Sequence, residues 1–331
     1  MTAQPAPVPA GPSIPLGSAA QRNAWLIGLV AFLALLLLFT KLIQPNYGVT
    51  GVQGLAISVL PLALAAVAQA IVVISGGIDL SIGAMMALIS VISASLMKGQ
   101  PEEVGVAVVL GVLVLGLALG AVNGGVVVAT RVPDIVVTLA MSFVWAGCAL
   151  LVLKTPGGAS VAWLKELVKG SLGNEWIPKA AVVLIVVVAV IWIPLRRSRL
   201  GLSIYAIGSS RLAAFRSGVA VGRTRILAYA FTGLFAALGG LSLTASTGIG
   251  TPVPGPYTLM SVAAVVLGGV SLAGGRGGVF GPIVAVMILQ LIRTDITFLN
   301  INPNLAVVVQ GVILIGVVMI GSLVQIRRAR A

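Results

Sequence analysis

Residues 76–83 read GGIDLSIG and lie between two long apolar runs, Gln53 to Ser75 and Ile82 to Met97. How this octet is read decides the fold. An aspartate among glycines either interrupts one buried helix or marks the point where the chain turns between two membrane-crossing helices. At a bilayer centre a lone Asp costs roughly 2.5 to 3.5 kcal/mol on insertion scales. Between two spans, Gly76 and Gly77 permit a turn in which the Asp79 carboxylate meets water and caps the helix that follows. The octet is therefore expected to be a helix–turn motif built from Gly76, Gly77, Asp79, Ser81 and Gly83.

Composition supports the two-span reading. Of 331 residues, 59% are hydrophobic and 8% charged, 41 are glycine, and mean hydropathy is +1.16. Such a chain is a polytopic membrane protein, all-α, with the bilayer taking the place of separate soluble cores. One cysteine, Cys148, and no histidine exclude a disulfide scaffold, histidine-ligated metals and Ser/His or Cys/His catalysis. Residues 1–22 are uncharged up to Arg22 and rich in Pro and Ala, which predicts a disordered cytoplasmic tail. The run from Ala24 is followed by no small-residue cleavage site, so it is a retained span and not a signal peptide.

A hydrocarbon core of about 30 Å needs ~20 apolar residues per helix. The runs that approach this are Ala24 to Ile43, Gln53 to Ser75, Ile82 to Met97, Val104 to Ala129, Ile135 to Leu153, Ala180 to Leu195, Ile226 to Ser246, Leu259 to Ala273, Val279 to Leu299 and Leu305 to Ile326. About ten spans are expected within residues 23–326, followed by a basic tail at 327–331. With the N-terminus inside, the cytoplasmic segments carry Arg22, Arg131, Arg196, Arg197, Arg199, Arg211, Arg216, Arg223, Arg225, Arg276, Arg327, Arg328 and Arg330. The other side holds Lys41, Lys98, Lys154, Lys165, Lys169, Lys179 and Arg293, together with most of the acids. The positive-inside rule then predicts N-in and C-in. The net charge of +13 marks orientation, and no nucleic-acid partner is implied.

Polar groups within the spans are sparse: Gln69, Asn123, Thr138, Ser142, Gln290 and Gln310. Such groups either join helices or line a path, and Gln69, Asn123, Thr138 and Ser142 are candidates for the path. Gly116, Gly120 and Gly124 form two overlapping GxxxG units, a pattern for close helix packing. No span centre carries a charge, which disfavours an ion-coupled secondary carrier. No GxxxxGK[ST] motif occurs, so any ATPase is a separate chain. The segment GGVSLAGGRGG, Gly268 to Gly278, echoes the opening octet as GG, a β-branched residue, a variable position and Leu. The longest basic segment, 196–225, is expected to be a loop whose centre forms a short helix, capped by Ser209 or Ser210 and ended by Gly218. On composition alone it could rest on anionic lipid or dock a cytoplasmic partner.

GGIDLSIG, NGGVVVATRVPDIVVTLAM (Asn123 to Met141), GLSIYAIGSSRLAAFRSGV (Gly201 to Val219) and LGGVSLAGGRGGVFGP (Leu267 to Pro282) occur in this order. Together they resemble the permease subunits of ribose/xylose/arabinose-type ABC importers, in the wider binding-protein-dependent permease family that includes branched-chain amino acid permeases. Two departures stand out. Ser209 and Ser210 replace a usual Gly-Asn pair, and Asp134 stands where an aromatic often follows Val-Pro, read here as a local ion pair with Arg131.

The resemblance implies a multi-pass protein of the cytoplasmic (inner) membrane that pairs with a second permease copy and membrane lipid. It implies an extracytoplasmic sugar-binding protein and an ABC ATP-binding subunit as partners, with ATP and Mg used by that subunit and no cofactor or metal bound by this chain. It implies that the segment around Gly201, Gly208, Arg211, Ala213, Ala214, Arg216 and Gly218 couples to the ATPase. The implied activity is ATP-driven import of a small neutral sugar by a transport subunit that is not itself an enzyme. The alternatives are the same kind of permease for branched-chain amino acids, nucleosides or a signalling sugar, an ion-coupled carrier, or a membrane scaffold.

Overall fold

The computed structural model describes residues 16–302 and scattered positions from Leu305 to Met319, with side chains from Trp25 onward. Residues 1–15 and 320–331, Gln310 and most of the tenth apolar run lie outside the described residues.

The helices are α1 (Leu16–Ile43), α2 (Val49–Ile74), α3 (Ile82–Met97), α4 (Val104–Thr130), α5 (Asp134–Val152), α6 (Ala162–Val168), α7 (Lys179–Val187), α8 (Ile193–Arg197), α9 (Arg199–Ser209), α10 (Arg211–Arg216), α11 (Val221–Thr247), α12 (Tyr257–Leu267) and α13 (Phe280–Phe298). A π-helical segment, Val188–Trp192, joins α7 to α8, so 179–197 runs as one helical stretch. α1 takes in Leu16 to Arg22, residues that the sequence assigns to the tail. Among the described residues, seven helices are long and apolar enough to cross a membrane, beginning at Trp25, Val49, Val104, Asp134, Lys179, Val221 and Phe280. α3 and α12 are apolar but shorter. At 1.5 Å per residue, α12 with its 11 residues reaches about 17 Å, too little to cross the hydrocarbon alone.

Two helices form the centre. The apolar stretch of α2 is 89% buried, against 11% for α1 and 17% for α5, whose Leu35, Leu38, Leu42, Phe143 and Leu151 point outward as lipid-facing side chains do. α2 is joined to α11 by the Thr232 hydroxyl, which donates to the Ala68 carbonyl at 3.1 Å. The GxxxG glycines of α4 face α11: a Cβ on Gly116 or Gly120 would run into the backbone of Gly233, and one on Gly124 into Ile226. Close packing, the plain reading of that stripe, is what it does. Ser90 and Ser93 of α3 both meet Thr244 of α11, at 3.0 and 3.2 Å.

The ends of the bundle differ in charge. At one end, α6 and a small antiparallel pair, β1 (Ser171–Leu172) with β2 (Asn174–Pro178), lie beside the starts of α4 and α7. This end carries the lysines and glutamates, and Glu102 accepts from the first amide of α6 at 2.9 Å. At the opposite end, past α8, helices α9 and α10 meet the turn after α2, the α4–α5 turn and the loop after α12. This is the arginine end. The segment expected as a loop is mostly helical, because Ser198 and Ser210 each cap a helix by accepting from Gly201 N and Ala213 N, at 3.1 and 3.3 Å.

The echo between the two glycine segments has a structural basis, shifted by one residue. α2 ends with Gly76 at φ +81°, Gly76 N donating to Val73 O and Gly77 N to Val72 O. α12 ends with Gly269 at φ +78°, Gly269 N donating to Val266 O and Val270 N to Val265 O. Both are Schellman caps, for which a left-handed glycine is the natural residue. The geometry pairs Gly76 with Gly269, whereas the sequence echo pairs it with Gly268.

Candidate functional site

Three features at or between the ends carry chemistry. The first is the turn that contains the octet. Asp79 does not meet water: it is completely buried, and its Oδ1 accepts from Ser81 N at 2.8 Å and from the Ser81 hydroxyl at 2.6 Å. Ser81, and not Asp79, holds the N-cap position of α3, so the aspartate closes the turn onto itself. Burial occurs because other helices cover it. Asn123 of α4 donates from Nδ2 to Ser81 Oγ at 2.7 Å and accepts from the Trp145 indole of α5 at 3.1 Å. Thr138 of α5 accepts from Leu80 N at 3.0 Å. Burial pushes the Asp79 carboxyl up to about 6, against the hydrogen bonds from Ser81 that favour its charged form. Its Oδ2 has no hydrogen-bond partner among the described residues.

Asp134 corrects a second expectation. Its partner is Arg225 of α11 and not Arg131: Arg225 Nη2 lies 2.5 and 2.6 Å from the two carboxylate oxygens, and the Tyr229 hydroxyl donates to Oδ2 at 2.7 Å. This carboxylate lies directly over Gly77, where any Cβ would collide with it. The turn is thus held by α4, α5 and α11 together.

Of the candidate path residues, Asn123 and Thr138 join this cluster. Ser142 does not, since its hydroxyl donates back to Leu139 O on its own helix at 2.6 Å. Gln69 is wholly buried on α2 with neither amide atom paired among the described residues.

The second feature is α10. Its C-terminal end is a third Schellman cap, with Gly218 at φ +82°, Gly218 N donating to Phe215 O and Val219 N to Ala214 O. Ala214 is 5% exposed and faces inward, whereas Leu212 and Phe215 are 60% and 69% exposed. Arg211, Ala213, Arg216 and Gly218 are exposed too. Gly201 and Gly208 serve the joints: a Cβ on Gly201 would meet the Leu195 and Arg196 carbonyls, and one on Gly208 the backbone of Ile74 and Gly275. Arg211 Nη2 donates to Gly76 O at 3.2 Å and Tyr205 OH to Gly277 O at 2.8 Å, which ties α9 and α10 to both glycine turns. Sequence reasoning passed over Leu212 and Phe215, although two large apolar residues three apart in an arginine-rich segment are the signal.

The third feature is a cavity of about 390 Å³ among α2, α11, α12 and α13, lined by Ser58, Thr247, Tyr257, Gln290, Arg293 and Thr294 among others. Gln290 is fixed by donating to Ser58 O at 2.9 Å. Among the described residues the wall offers hydroxyl, amide and guanidinium groups.

The bundle thus sets two glycine turns and a capped helix, α10, side by side at its basic end. Residues 51–318 match the family described as branched-chain amino acid transport system / permease component, and the chain belongs to that family of inner-membrane, multi-pass transport subunits. The ribose import permease protein RbsC of Escherichia coli strain K12 is 29% identical over 312 residues, 91% of this chain and 95% of its own. The probable ABC transporter permease protein YphD of the same strain is 32% identical over 335 residues, covering 100% of this chain and 99% of its own. The galactose/methyl galactoside import permease protein MglC of Haemophilus influenzae is 32% identical over 267 residues, 76% of this chain and 80% of its own. No solved structure matches.

Proposed function

We propose that this chain is the permease subunit of an ATP-driven importer of a small neutral sugar. Ribose, allose and galactose permeases are among its relatives, and the cavity's hydroxyl, amide and guanidinium groups offer the donors and acceptors that suit a polyol. The chain crosses the membrane about ten times with both termini inside, so the arginine end is cytoplasmic and the cavity lies toward the outside. A binding protein delivers the sugar there, a second permease copy completes the path, and a separate ABC subunit hydrolyses ATP with Mg.

The observation that carries the coupling reading is the outward display of Leu212 and Phe215 on a helix braced by caps at both ends. ATPase closure pushes α10, and α9 passes the displacement to the ends of α2 and α12, switching the side to which the path opens. Proteoliposomes containing the permease, the ATPase and the binding protein test it. Phe215→Asp abolishes ATP-dependent uptake while the permease retains its thermal stability. Ala214→Glu, which forces a charge inward, lowers stability as well. Full uptake by Phe215→Asp removes the coupling role from α10.

A further inference from the structure

Beside α10 lies a cavity to which the coupling reading assigns no ligand. Where α4 gives way to α5, a cavity of about 560 Å³ opens between α4, α10 and α11, with Val128, Val132 and Val221 on its wall and Arg131, Arg211 and Arg225 converging on it. Its charge is unbalanced. Three guanidinium groups face one carboxylate, Asp134, which is already taken by Arg225 Nη2 and the Tyr229 hydroxyl.

The donors are underused. Arg225 is 8% exposed, and its Nε has no partner among the described residues. Burying an unsatisfied cationic donor is unfavourable unless something meets it. Arg211 spends one of its five N–H groups on Gly76 O. Arg131 stands in left-handed backbone, φ +59°, as the C-cap of α4, and its side chain is exposed. The ligand that planar guanidinium forks fit best is a phosphate or carboxylate oxygen pair.

The surroundings select the source of that anion. Val132 on the cavity wall is an exposed apolar side chain, and so are Ile135 and Val136, which follow Asp134 on α5, a helix that faces lipid. A molecule that places a phosphate among the arginines and a hydrocarbon chain along this flank satisfies both surfaces. We propose that the cavity between α4, α10 and α11 binds the phosphate group of an anionic phospholipid, held by Arg131, Arg211 and Arg225. Bound there, the headgroup touches the base of α10 and neutralises the excess charge beneath it. The site stands on the membrane fold alone, whatever the outcome for the coupling role of α10.

The test uses the full chain purified in detergent with equal amounts of phosphatidylglycerol and phosphatidylcholine, and counts the lipid retained by native mass spectrometry. Wild type retains phosphatidylglycerol preferentially. Arg131→Gln lowers that preference about fivefold, the factor expected for one arginine near an anionic surface. Arg197→Gln, an exposed arginine at the same end but outside the cavity, leaves it unchanged. Arg131→Lys, which keeps the charge, retains part of it, and unfolding temperatures confirm that each variant is folded. Equal retention of the two lipids by wild type overturns the proposal, as does an equal loss in Arg197→Gln, which indicates a diffuse basic surface. Displacement of phosphatidylglycerol by inorganic phosphate assigns the cavity to a free anion and overturns it too. So does unchanged lipid retention in Arg131→Gln with weakened co-purification of the ATP-binding partner, which gives the cavity to an acidic side chain of that protein.

Discussion

Arg225 Nη2 bridges both carboxylate oxygens of Asp134, at 2.5 and 2.6 Å, across 91 residues of sequence. The pair is nearly buried and sits on the turn that follows α2. Removing one partner of a buried pair leaves an uncompensated charge, at a cost of about 3–5 kcal/mol, whereas replacing both by apolar groups is often neutral. Arg225→Met should therefore lower the unfolding temperature in detergent sharply. The double variant Asp134→Leu/Arg225→Met should recover most of the loss, and a double variant no better than the single one would show that the pair has a role beyond charge balance.

Gly208 is the point where α9 meets the backbone of Ile74 and Gly275. Forcing one methyl group into a filled space costs about 1–3 kcal/mol. Gly208→Ala should destabilise the chain and slow coupled uptake. Gly111→Ala, at a position with open space around its Cα in the middle of α4, should be neutral or stabilising. Equal effects of the two substitutions on unfolding temperature would contradict this account of the joint.

Asp79 makes both its hydrogen bonds through Oδ1. Asp79→Asn keeps that acceptor and removes a buried charge, so it should preserve transport and match or exceed wild-type stability at pH 7. Asp79→Ala loses both bonds and should cost about 1–3 kcal/mol. The sign with pH follows from a carboxyl raised from 3.8 to about 6. Between these values the folded state holds more protons than the unfolded one, so the contribution of Asp79 to stability falls as pH rises through that window. The advantage of Asp79→Asn in unfolding temperature should thus be largest above pH 6 and shrink toward pH 4. An advantage independent of pH would contradict the buried carboxylate.

Thr138 links α5 to the same turn, accepting from Leu80 N at 3.0 Å and donating to Asp134 O at 2.8 Å. Thr138→Val keeps the shape and strands the Leu80 amide, a loss of about 1–3 kcal/mol. Amide exchange at Leu80 should quicken in this variant. Unaltered exchange would mean the hydroxyl is dispensable there.

Hydropathy made the helices from α1 to α5 and α11 to α13 legible, because lipid requires contiguous apolar runs with internally bonded backbone. The caps of α10 were legible as well, since Ser210 and Gly218 act through local geometry, whereas the cap expected at Asp79 falls on Ser81. What escaped depends on contacts between distant segments. Arg131 is three residues from Asp134 and looks like its partner, but Arg225 is delivered by the packing of α11 on α4. Asp79 looks hydrated from its neighbours in sequence, and it is dry because Asn123, Thr138 and Trp145 converge from two other helices. The arginines of 196–225 suggest an open loop, whereas Ser198 and two close glycine contacts fold it into helices laid on the bundle. The inward aim of Ala214 depends on which face of a six-residue helix meets the bundle, which the neighbouring residues in sequence do not decide.

At that joint main chain meets main chain: a Cβ on Gly208 would run into the Ile74 carbonyl and the Gly275 amide, and one on Gly274 into the α-carbons of Gly76 and Gly208. Side chains can change rotamer and absorb a shove; main chain in direct contact cannot. A displacement of Gly208 would therefore reach the other two segments with little taken up by side-chain rearrangement. The same stiffness means that wear at this point, in the form of one added methyl, is felt on both helices at once.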